Sequence, residues 1–288
     1  MSVLIALGML SLLVFIHEMG HYLAARWAGA TVNDFSIGFG RALVQRTWLG
    51  HTWSLRLIPF GGFVSIKSEL ETGELTEDCL EAQSFFKRFV IYLAGPAMNL
   101  VGAIVILIAL MNIGYRGNVE HLLYKYPIPE DAIVLTDPVV DTTGAVTHHM
   151  RVAPLQSVPL ATELSVKAVP YMGYVVYTLI FTDKLDEQMP DAKMTGPVGI
   201  IAETSKATKD GIHELLFRGF SLSISLVIFN LIPFPPLDGG RILLMIPEAI
   251  FGRKRTQVLQ NLTVVAGALT LIGLFLWVTI NDVIAIAG

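Results

Sequence analysis

Cysteine is almost missing from this chain of 288 residues, with Cys79 the only one. A single thiol excludes both an intrachain disulfide framework and a cysteine-rich metal site. Charge is scarce as well, at 15% of residues where a soluble domain carries about 25%. There is no basic excess either. A net charge of −4 argues against nucleic acid as a partner. The first residues lack the basic stretch and small-residue cleavage site of a signal peptide, so residues 2–27 are expected to stay as a membrane helix. Inverted internal repeats, the mark of many transporters, are not seen.

Apolar residues are what the chain has in abundance: 53% of the total, with a mean hydropathy of +0.61. The expected fold is a membrane α-helical protein with about four transmembrane helices, at 2–27, 89–113, 212–232 and 257–285. A membrane-associated β-loop and a small extracytoplasmic insert complete it. The first membrane half covers 1–114, the insert 115–195 and the second half 196–288.

One stretch organises the rest: Phe15-Ile16-His17-Glu18-Met19-Gly20-His21-Tyr22. Residues four apart share a helix face, so His17 and His21 can aim two imidazoles at one point. Neutral imidazoles suit Zn²⁺, and Glu18, offset by one residue, stands where a general base for water would stand. Such residues in a lipid-embedded helix are expensive and usually functional; the bland reading is a helix end reaching the interface. The third ligand is expected from Asn230-Leu231-Ile232-Pro233-Phe234-Pro235-Pro236-Leu237-Asp238-Gly239-Gly240-Arg241. Its prolines cannot stay in a regular helix, and broken backbone at membrane depth belongs beside protein or a wet cavity. Asp238 then completes a His₂-carboxylate set; otherwise it caps the helix from 240 to 250.

Between these elements the helical period lapses over 31–67, where short strands are expected at 32–37, 42–48, 52–58 and 62–67. An exposed edge there could hold an extended substrate strand, or the element could only cover the site. Residues 68–84 are acidic and read as a solvated linker. Gly95-Pro96-Ala97-Met98-Asn99 lies inside the second membrane segment, and Asn99 is either a packing hydrogen bond or an active-site donor. From 115 to about 169 the chain is polar and proline-rich, with a strand near 132–135 and His148 and His149 at the surface. Residues 169–182 are too short to span and read as an interfacial helix. Lysine and arginine number seven over 26–88 and four over 241–255, which places both regions in the cytoplasm and 115–195 outside.

Four motifs in this order resemble the site-2 protease family of intramembrane zinc metalloproteases: His17-Glu18-Met19-Gly20-His21, Gly95-Pro96-Ala97-Met98-Asn99, Gly196-Pro197-Val198-Gly199-Ile200 and the Asn230–Gly240 run. They look most like the bacterial group that cleaves membrane-bound anti-sigma factors. The resemblance implies zinc held by His17, His21 and Asp238, water activated by Glu18, and Asn99 and Asn230 handling substrate backbone. It also implies a single-pass membrane protein as substrate, the lipid bilayer as surroundings, and an inner-membrane location with the site toward the cytoplasm. One feature departs from the pattern. That group usually carries PDZ domains between its second and third membrane helices, and no carboxylate-binding loop is recognisable here. Competing readings are a zinc peptidase for soluble peptides, a metal-binding transporter and a silent scaffold; the last would have lost one of these four residues.

Overall fold

The structure, a computed structural model, describes residues 1–69, 73–117, 133–140, 146–181 and 196–287. Four helices among them are long and apolar enough to cross a membrane: α1 (Ser2–Ala28), α2 (Phe85–Ile113), α5 (Ile212–Leu231) and α7 (Arg253–Ala287, apolar to Ile284). The expected spans are all present, with ends shifted by up to four residues, as fraying and capping allow. Two further helices, α4 (Pro197–Asp210) and α6 (Asp238–Phe251), are shorter.

The chain forms two compact units. One comprises 1–6, 100–193 and 202–225. Its core gathers Leu107, Leu110 and Met111 of α2 with Val152, Leu160 and Leu164, and Leu216 and Phe220 of α5 pack against it. It also holds a three-stranded sheet, in the order β3 (Tyr115–Gly117), β5 (Val146–Val152), β4 (Ile133–Val140). The expected strand near 132–135 thus extends to 140, passing Pro138 on an edge strand where the pairing shifts between Thr136 and Val139. His148 and His149 fall on β5.

Here the interfacial helix expected at 169–182 needs correction. The observed helix, α3, runs from Pro154 to Phe181, with Pro159 and Pro170 inside it. A proline costs the carbonyl four residues earlier its N–H partner. For Pro159 and Pro170 those carbonyls belong to Leu155 and Val166, which are 92% and 52% exposed, so solvent-side groups can take over. Pro154 sits at the helix start, where no donor is required.

The other unit comprises 7–99, 194–201 and 226–288. It contains an antiparallel hairpin, β1 (Val32–Trp48) and β2 (His51–Ile66). Each long strand bends in the middle, so the four expected short strands survive as four paired segments. Asp34 pairs with both Ser65 and Thr52, and Ile37 with both Gly62 and Leu55. The 32–37 segment therefore lies between 62–66 and 52–55, while 42–48 pairs on the far side of 52–56. The bend needs Gly38, at φ +85°, where a Cβ would meet the Ile58 carbonyl oxygen at 2.6 Å. Arg56 ties it down, reaching Asp34 and Ser36 at 2.8 Å and the Gly40 carbonyl at 3.0 Å.

Aromatic packing docks this sheet on α1. Phe35 touches Phe15, Tyr22 and Trp53 at centroid distances of 5.6, 5.9 and 4.6 Å. Each such pair contributes about 0.5–1.5 kcal/mol beyond burial. Helices α1 and α2 approach closely at Gly20, where a Cβ would come within 2.1 Å of the Ala94 carbonyl oxygen. Small residues permit that contact in lipid, where there is little hydrophobic drive between helices.

The reading of 68–84 as a solvated linker is also corrected. Cys79 and Leu80 are buried, and Asp78 accepts bonds from Thr31, Lys67 and Thr76. Glu81 accepts from the Ser68 hydroxyl at 2.6 Å and the Glu69 backbone N–H at 3.1 Å. The apolar pair Cys79-Leu80 in an acidic run was the available signal. Elsewhere in this unit, Arg88 grips Glu248 with two bonds of 2.6 and 2.8 Å. These bonds hold the Glu248 carboxyl below its usual range.

Candidate metal centre

His17 and His21 lie on α1 four residues apart, their rings 4.8 Å between centroids and nearly perpendicular. Their Nε2 atoms are 3.2 Å apart. Asp238 Oδ2 stands 3.3 Å from each of them. Four atoms arranged tetrahedrally about zinc at about 2.0–2.1 Å lie about 3.3–3.4 Å from one another. The three donors form the face of such a tetrahedron. Asp238 Oδ2 is buried and makes no hydrogen bond, which for a carboxylate oxygen is costly unless a cation meets it. The residues fit a zinc ion.

The second ring nitrogens carry the rest of the argument. Nδ1 of His21 is 2.7 Å from the Ile91 carbonyl, and a carbonyl only accepts, so Nδ1 holds the proton. That leaves the Nε2 lone pair for a metal. Nδ1 of His17 meets the amide of Asn99 at 3.1 Å. A half-turn of that amide, which exchanges its oxygen and nitrogen, lets its oxygen accept from Nδ1 in the same way.

Packing, not spacing, completes the site. Gly95 of α2 abuts both imidazoles; a Cβ there would lie 2.3 Å from His21 Nε2 and 2.8 Å from His17 Cε1. On the carboxylate side, Gly239 and Gly240 fold against the backbone of Leu231 and Phe234-Pro235, with Cβ distances of 2.2 Å. Gly267 of α7 packs on the Pro235 carbonyl oxygen, 1.7 Å from an added Cβ. The Pro233–Leu237 turn is thereby wedged, and it starts α6 with Asp238 in the first turn. Leu237 is the N-cap, and no side-chain capping bond is made there. The capping alternative for Asp238 is therefore not what the fold uses.

A cavity of about 680 Å³ opens on the three donors. Glu18 and Val64 line it. So do Gly62, Phe63, Ser65 and Ile66, the segment of β2 whose other side pairs with β1. No further strand pairs with that edge among the described residues. Asn230 lines the cavity and donates to the Leu226 carbonyl at 2.9 Å. Asn99 does not: it is fully buried behind His17. Sequence reasoning missed Ser68, Glu81, Tyr92 and Arg241, which also line the cavity. Only Arg241 had a visible cue, its place one turn past Asp238.

The chain matches the model of peptidase family M50 over residues 5–274. It is 30% identical to a Clostridium perfringens protein named as a zinc metalloprotease, covering 99% of each. Proteins with zinc metalloprotease names from Campylobacter jejuni and Brucella suis are 29% and 28% identical, each covering 97% of this chain and 92% and 94% of their own. The Clostridium alignment runs to 333 positions, more than the 288 residues here, so that relative holds internal residues this chain lacks. With four helices fit to span a bilayer, the chain belongs to peptidase family M50, the site-2 proteases, as a multi-pass membrane zinc metalloprotease.

Proposed function

We propose that this protein hydrolyses peptide bonds within or beside the membrane segment of single-pass membrane proteins, with its site toward the cytoplasmic face of the inner membrane. One observation carries the reading: a three-donor metal cradle and a carboxylate share a cavity whose wall is a strand edge left unpaired among the described residues. A transmembrane helix hides its carbonyls in i→i−4 bonds and must unwind to be cut. The 62–66 edge offers backbone partners to the unwound stretch, as in strand addition. Asn230 supplies an amide for the same purpose from the lining of the same cavity.

His17, His21 and Asp238 would hold the ion, and Asn99 orients His17 rather than touching substrate. A zinc ion held there would supply Lewis-acid chemistry, polarising the scissile carbonyl and making the attacking water more acidic. Glu18 takes the proton from that water and hands it to the leaving amide nitrogen.

Exposed apolar side chains on the hairpin support its association with lipid: Leu43, Val44, Trp48 and Leu57 are each about 60% exposed. The lysine and arginine distribution supports the cytoplasmic orientation. A role in regulated proteolysis, on anti-sigma factors or signal-peptide remnants, rests on the motif resemblance.

The test is metal content and cleavage of a reconstituted single-pass substrate. Glu18→Gln should keep zinc and lose cleavage by roughly 10²–10⁴-fold, whereas Asp238→Asn should lose both. Normal cleavage by Glu18→Gln would refute the base role. Equal cleavage of a soluble peptide of the same sequence would replace the intramembrane reading with a water-facing peptidase.

A further inference from the structure

Arg241 is the only lysine or arginine among the cavity's described lining residues, which otherwise bring Glu18, Glu81 and Asp238. It lies three residues after Asp238 on α6, on the same helix face. Its position is fixed from two sides. Nε donates to the Pro236 carbonyl at 3.3 Å, and the guanidinium sits 5.9 Å from the centre of the Tyr92 ring. Those contacts use one of five N–H donors and one face of the plane.

The neighbouring acids are engaged elsewhere. Glu81 takes Ser68 and the Glu69 N–H, Arg88 takes Glu248, and Arg253 takes Glu69. Among the described residues no carboxylate lies within 4.0 Å of Arg241. A preoriented guanidinium fork whose terminal donors meet no partner among the described residues, in a cavity whose other charged side chains are acids, is complementary to a carboxylate and repels cations.

We propose that Arg241 is a specificity-determining residue that pairs with a carboxylate of the substrate close to the scissile bond. This rests on the protease reading above. The carboxylate has two sources, an Asp or Glu side chain or the C-terminus of a chain shortened by an earlier cut. Both present the same two-oxygen fork to the guanidinium.

The experiment compares kcat/KM ratios between matched substrates in one enzyme, so any general loss in a variant cancels. A zinc-loaded, detergent-solubilised protein is given a membrane-segment peptide with Glu, Gln or Lys scanned across three positions on each side of the cut. A second series ends two residues past the cut in a free carboxylate or an amide. Wild type should favour Glu over Gln at one position, or carboxylate over amide, by about 10-fold. Arg241→Lys should keep part of that preference, Arg241→Gln should bring it to about one, and Arg241→Glu should favour Lys instead.

A preference in the Glu scan alone assigns the side chain, and one in the second series alone assigns the chain end; either supports the proposal. Wild-type ratios near one throughout, or a preference that survives Arg241→Gln, overturn it while leaving the protease reading intact. Where the variants do not fold, loss of the wild-type preference when the Tyr92 face is removed by Tyr92→Leu supports it, and retention overturns it. Failure of wild type to cut any of these substrates sinks both readings together.

Discussion

The two halves of the metal cradle are built in opposite ways. His17 and His21 sit in an uninterrupted helix, where the turn alone sets their common direction. Asp238 comes from a segment whose regular structure has been removed by Pro233, Pro235 and Pro236, so nothing local aims it. Its place is decided by glycines that let the turn press on α5 and α7 backbone. A ligand pair can be local; the third ligand has to be a tertiary product. The two halves should then fail differently when each is disturbed.

The largest effect is expected on the imidazole side. Gly95→Ala puts a methyl 2.3 Å from His21 Nε2, the ligand atom itself. Zinc affinity should fall about 100-fold or more, with the fold retained because only side chains must move. Competition against a chelator measures the first, and circular dichroism the second. Next comes Asn99→Leu, which removes the group behind His17 Nδ1. It should weaken zinc about 10–100-fold and spare substrate affinity; a raised KM with unchanged zinc would make Asn99 a substrate contact instead.

On the carboxylate side, Gly267→Ala drives a methyl into the Pro235 carbonyl, where backbone must yield. Here stability should drop by about 2 kcal/mol, with activity following as the turn moves. Unfolding in denaturing detergent would show it, and an unchanged midpoint would mean the turn is not wedged as described. The smallest effect tests the segment that follows β2, where Asp78 is bound to Thr31, Lys67 and Thr76. The Lys67 ammonium, then the Thr76 and Thr31 hydroxyls, hold the Asp78 carboxyl below the ordinary carboxylate range. A depressed carboxylate pKa stabilises the fold above the unfolded value of about 3.9 and loses that contribution as pH falls toward the folded value. Carbon-13 titration of Asp78 should therefore give a midpoint below 3.9, returning toward it in Lys67→Met.

Much of the site is legible in the amino-acid sequence. His17, Glu18 and His21 carry their geometry in their spacing, and Asp238 announced itself as a carboxylate on broken backbone. The four short strands were legible from glycine punctuation, although two bends join them into one hairpin. What escaped were relations between distant backbones. Nothing in Gly95 says that its missing side chain makes room for two imidazoles, and nothing in an acidic run shows that Cys79 and Leu80 turn inward. The helix from Pro154 was hidden because its prolines read as breakers, and their cost depends on solvent reaching two particular carbonyls.

By itself the amino-acid order determined the spans, the imidazole pair with Glu18 beside it, and a carboxylate on broken backbone, because hydropathy and helical period act over a few residues. Tertiary structure alone decided that Asp238 meets the imidazoles, that Asn99 stands behind His17 and that a bare strand edge and Arg241 face the same cavity. Those outcomes depend on close backbone approaches between segments far apart in the chain, which no local pattern encodes.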